Sequence, residues 1–164
     1  MTRTTLWGLF ALAGCSGRLV EERALPLAAD RADLAWSTTA PAGKASLWLR
    51  YELHADTRLA GSGEGSEPVY DLVGSLTVRA DGAVVYEGPL ELAEDKPPTT
   101  ALARRTVTGS HSFCGSDGCS AGGRVEILAL DGVTAGAPLE IAVHLPAKGG
   151  DFSVQSASVQ LRAR

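Results

Sequence analysis

The run HSFCGSDGCSAGG, His111 to Gly123, gathers an imidazole, two thiols and several hydroxyls in one short stretch. Cys114 and Cys119 enclose Gly115-Ser116-Asp117-Gly118, a spacer flexible enough to bring the two Cα atoms within the ~7 Å that a disulfide requires. A ring this small restrains few unfolded conformations. It should contribute less than the roughly 3 kcal/mol of a 15-residue loop, so the bond is expected to pin a loop rather than support a domain. Adding His111 supplies only three zinc ligands, without a fourth or a paired C-x-x-C, and no metal is expected. A redox pair of the thioredoxin type would need C-x-x-C at a helix start, and neither condition is met.

The same run contains GCSAG, Gly118 to Gly122, which fits G-x-S-x-G with Ser120 as nucleophile. Asp131 and His144 follow in Ser-Asp-His order, only 11 and 13 residues apart. A nucleophile elbow needs a strand, a sharp turn and a helix. Here Gly122-Gly123 leads into a strand pattern, and Cys119 would be tied by the disulfide. No catalytic residue is assigned, and the chain is expected not to be an enzyme; a serine hydrolase through Ser120 is the least favoured reading. Glycine-rich GSGEG lacks the Gly-Lys-Ser/Thr ending of a phosphate loop, so no cofactor is expected.

Three further side chains could form a ligand surface. Trp48, His54 and His144 each fall on the polar face of an alternating segment. The histidines are expected to be solvated. Trp48, between Ser46 and Arg50, is expected to lie half-buried under a loop or in a cross-strand pair; exposed, it would be a platform for a sugar ring. Trp36 is expected in the core.

The elements that position these residues read as strands. In SLWLRYELH, Leu47, Leu49, Tyr51 and Leu53 alternate with Ser46, Trp48, Arg50, Glu52 and His54. In PLEIAVHLP, Leu139, Ile141, Val143 and Leu145 alternate with Glu140, Ala142 and His144. One buried and one wet face is the mark of antiparallel sheet. Further strands are expected over Leu25–Trp36, Val69–Ala80, Ala83–Leu92, Leu102–Ser110 and Gly123–Leu130. Asp81-Gly82 between two apolar runs is a strong hairpin signal, and Asp131-Gly132 and Gly149-Gly150 repeat the device. Leu59–Pro68 and Glu94–Thr100 read as loops. In the last strand Phe152 and Val154 occupy even positions, but Val159, Leu161 and Ala163 odd ones. A strand cannot change faces unaided, so a bulge is expected within Ser156–Ser158. Many short strands at 8–12-residue spacing predict an all-β, antiparallel two-sheet sandwich, immunoglobulin-like in the first instance, with a jelly roll as the alternative.

The amino terminus carries a different signal. Met1–Thr5 hold one basic residue, Arg3, and Leu6–Ala13 are apolar apart from Gly8. The run stops at Cys15, too short for the ~20 apolar residues of a spanning helix, and has the parts of a secretory signal. Leu12-Ala13-Gly14-Cys15 resembles the lipobox of bacterial lipoproteins. That resemblance, confined to the leader, implies a signal peptide over 1–14 and a diacylglyceryl group on the Cys15 sulfur. It also implies acylation of the new amino group with palmitate-type chains. Two or three chains hold a protein effectively permanently at a bilayer. With Ser16 rather than aspartate after the cysteine, the resemblance points to the outer membrane, facing the periplasm. Residues 15–23 are then expected as a lipidated tether and 24–164 as one domain.

Composition bounds the rest. The 164 residues suit one domain, and 45% hydrophobic content is ordinary. A net charge of -4 without clustered Lys and Arg excludes a nucleic-acid footprint, and no polybasic segment exists. The expected role is that of a non-enzymatic, lipid-anchored envelope protein with a structural function or a protein partner in the envelope. The alternative is a carbohydrate or small-ligand module using Trp48 and the disulfide-pinned loop.

Overall fold

A computed structural model describes residues 17–55, 71–93, 107–115 and 118–164; at Ala93, 107–112 and Gly115 only the backbone is described. The leader, Cys15, the expected loops Leu59–Pro68 and Glu94–Thr100, and the first five residues of the strand expected over Leu102–Ser110 lie outside these residues.

The strands are β1 (Arg18–Ala24), β2 (Arg31–Thr39), β3 (Ala45–Ala55), β4 (Asp71–Ala80), β5 (Ala83–Ala93), β6 (Val107–Gly115), β7 (Gly118–Ala129), β8 (Pro138–Pro146), β9 (Lys148–Gly149) and β10 (Phe152–Ala163). The described residues contain no helix. Two antiparallel sheets form a β-sandwich: sheet A runs β1-β10-β3-β7-β6, with β9 on β10, and sheet B runs β2-β8-β4-β5.

Pairing is nested. Setting β6 and β9 aside, β1 pairs with β10, β2 with β8, β3 with β7, and β4 with β5. That is one long folded-back ribbon rolled into two layers, the jelly-roll arrangement. An immunoglobulin order would put the first two strands in one sheet, whereas β1 and β2 lie in different sheets. The alternative topology is therefore the one the strand order matches.

The core lies between the sheets. Leu47, Leu49, Tyr51 and Leu53 of β3 face Leu139, Ile141, Val143 and Leu145 of β8, all buried, as the alternation required. Asp81 and Gly82 take positive φ of 50° and 75°, the pair that a two-residue hairpin needs. The expected face change in β10 is present: register passes from Val154↔Leu53 to Ser156↔Glu52, so the extra residue is Gln155, one place before the expected window.

Several boundaries differ from expectation. The strands expected over Leu102–Ser110 and Gly123–Leu130 are β6, which runs on to Gly115, and β7, which begins at Gly118, so the run around Cys114 and Cys119 is largely strand rather than loop. Residues 18–23, read as a tether, form most of β1. This edge strand exposes all but one of its side chains and so has no hydrophobic alternation to betray it. The strand expected from Leu25 begins at Arg31 instead. Leu25 is buried, Pro26 removes a donor, and Ala28 N–H closes a turn on the Arg31 carbonyl at 2.7 Å.

Candidate functional site

The outer face of sheet B is built from residues of β2, β8 and β4 that alternate with the core set. Cross-strand register lays them out in rows: Asp33, His144 and Ser75; Ala35, Ala142 and Thr77; Ser37, Glu140 and Arg79. Alanines and a threonine at the centre leave shallow ground. Two clefts of ≈ 260 and ≈ 340 Å³ share Ala35, Thr77 and Ala142. One ends at Asp33 and His144, the other at Arg79 and Glu140.

The first end is held by charge. His144 Nδ1 donates to Asp33 Oδ1 at 2.5 Å, while Arg31 Nε reaches Oδ2 at 2.7 Å. The His144 hydrogen bond, with the Arg31 charge behind it, holds the Asp33 carboxyl below its ordinary range. An imidazole bonded through Nδ1 presents Nε2 outward, and Ser75 is next in the row. β8 is paired on both sides, so its amides are engaged in the ladder.

Sheet A differs. Trp48, on the outer face of central β3, is 0% exposed, as is its cross-strand neighbour Glu126; Ser46 and Gln160 are buried beside them. Trp48 Nε1 donates to Ser46 Oγ at 2.8 Å, and the Arg124 guanidinium sits 5.2 Å from its ring centroid. Arg164 donates to Glu126 Oε2 at 2.5 Å, and Arg162 to Gln160 Oε1 at 3.0 Å. Long side chains from β7 and β10 thus cover the ring. The wet face expected on SLWLRYELH survives only from Arg50 onward, and Trp48 offers no face to a sugar.

The three expected ligand-surface residues do not converge. Trp48 and His54 share the outer side of sheet A, whereas His144 lies on the outer side of sheet B, across the sandwich. The apparent triad also separates. Ser120 lies within β7 opposite His54, Asp131 follows the far end of β7, and the carboxylate that His144 meets is Asp33. GCSAG is continuous strand, so it forms no elbow.

Cys114 and Cys119 form the disulfide, as cross-strand partners at the tip of the β6–β7 hairpin with Cα atoms 4.0 Å apart. Beside it Phe113 is 69% exposed. Among the described residues no three His, Cys, Asp or Glu side chains gather as a metal site. Sequence reasoning missed Asp33 because its partner is 111 residues away. It missed Phe113 because an edge-hairpin aromatic has no periodic signature. Comparison with family models, with curated proteins and with solved structures returns no match.

Proposed function

We propose that this chain is a lipid-anchored, non-enzymatic protein of the bacterial cell envelope that binds another envelope protein through the outer face of sheet B. The observation that carries the binding role is that face itself: a wide, open floor of Ala35, Ala142 and Thr77 between fixed charges at Asp33–His144 and at Arg79 and Glu140. Small side chains let a partner's backbone approach, and charged ends set its register and reject wrong partners. Exposed Val73 on the same sheet adds apolar area. The leader motif ending at Cys15 supports anchorage, and Ser16 supports the outer membrane. Confinement beside a bilayer raises the effective concentration of such a domain towards its neighbours.

The test is a photocrosslinking amino acid at Ala142 in the lipidated protein, expressed in envelopes, with Ser156 on the outer side of sheet A as control. One discrete adduct from Ala142, absent from Ser156 and abolished when Arg replaces Ser75, is expected. Equal smears from both positions would remove the proposal. Carbohydrate binding is a second reading, favoured only by the exposed Phe113 ring beside the disulfide. A glycan titration that shifts wild type but not Phe113→Ala would support it.

A further inference from the structure

The join between the expected anchor and the fold has no slack. Gly17, two residues after Cys15, is already docked. Its carbonyl accepts Arg162 Nη2 at 2.7 Å, its φ is +68°, and a Cβ there would meet the Ala163 carbonyl oxygen at 2.4 Å. Arg18 then pairs with Ala163. Two residues span at most about 7 Å, so an acylated Cys15 would bring this end of the sandwich to within that distance of the lipid.

The surface at this end is graded along the chain. Arg18 is exposed, and Leu19 and Val20 are 44% and 42% exposed; the acids Glu21 and Glu22 follow. Exposed Lys44 lies at the same end, its carbonyl bonded to Arg164 N–H at 2.8 Å. Exposed Asp131 stands close to Lys44 at this end of the sandwich, because Leu130 N–H bonds the Ala45 carbonyl at 2.9 Å. Along β1 a cation and two apolar side chains therefore stand nearest the anchor, with the carboxylates farther off. Such an order fits phosphate headgroups at the rim, apolar side chains at the acyl boundary, and repulsion of the acids from an anionic surface. Strand addition by another chain suits the edge less well, because the register shift between Leu19 and Glu21 leaves Val20 as an extra residue that interrupts the ladder.

We infer that the Arg18–Val20 end of the sandwich docks directly on a phospholipid surface, holding the domain upright rather than swinging on a tether. The inference rests on acylation of Cys15. β7 and β10, of 12 residues each, run from this end to the other. The Cys114–Cys119 tip would therefore stand roughly 40 Å from the bilayer along the strand.

Lipidated full-length protein, purified from membranes, would be reconstituted in phosphatidylethanolamine–phosphatidylglycerol vesicles containing a headgroup spin-labelled lipid. A fluorescent amino acid would be placed at Val20 or at Phe113. Several-fold stronger quenching at Val20 is expected. Replacing Arg18 and Lys44 by serine in a chain with a long Gly/Ser insert after Ser16 should reduce the docked population by about fivefold per charge. Acylated protein quenched equally at both positions would overturn the docking alone, as would crosslinking through Val20 to a second copy. Intact mass showing no acyl group on Cys15 would overturn the anchor and the docking together.

Discussion

At the scale of single residues, two polar side chains carry consequences that exposure alone would not suggest. The Ser158 hydroxyl donates to Glu22 at 2.6 Å and, with Gln160, holds that carboxyl below its ordinary 4.5. A carboxyl depressed in the folded state stabilises at pH above its unfolded value and loses that contribution as pH falls through its folded value. Glu22→Gln should therefore cost stability at pH 7 yet match the parent in strong acid, flattening the decline below about 4.5; urea titrations across pH would measure it. Asp33 behaves in the same sense from its ordinary 3.8. Trp48 makes a different prediction. With no exposed area, and with Arg124 and Ser46 on it, Trp48→Ala should lose about 3–5 kcal/mol by the denaturation midpoint. An exposed platform would lose almost nothing.

At the scale of elements, strand parity and turn chemistry explain most of what forms. β8 alternates because one side meets the core and the other meets water. β1 does not, because it is an edge with neither side deeply covered. Gln155 is the single extra residue that lets both halves of β10 present apolar side chains inward. Deleting Gln155 should leave a regular strand with the same faces and a loss below about 2 kcal/mol. Deleting Gln160, beyond the bulge and between two inward residues, should turn Leu161 outward and Arg162 inward and abolish the cooperative transition; circular dichroism melts distinguish the two. The disulfide belongs to this scale as well. Because Cys114 and Cys119 are already ladder partners, replacing both with serine should cost less than about 3 kcal/mol. Faster amide exchange should stay confined to the β6–β7 hairpin, with the remaining strands unchanged.

At the scale of the whole molecule, nested pairing joins the two ends of the chain: Arg18 lies against Ala163 before the outer ribbon is complete. Such non-local contacts predict refolding in milliseconds to seconds or slower, which stopped-flow fluorescence of the tryptophans would record. The same nesting explains what was legible beforehand. Alternation along β3 and β8, the Asp81-Gly82 turn, the parity break near Gln155 and the meeting of Cys114 with Cys119 follow from local spacing. Local stereochemistry enforces them wherever the segment sits. Which strands become neighbours is not local. The His144–Asp33 contact, the covering of Trp48 by Arg124, and the separation of His144 from His54 depend on how the ribbon rolls. That choice is made by burying Leu and Ile side chains of both sheets together. So the chain by itself determined faces, turns and the disulfide, because these need only neighbours in sequence. The tertiary structure alone decided the topology and the shared surfaces, because hydrophobic burial is non-directional and a period of two assigns a side without naming a partner.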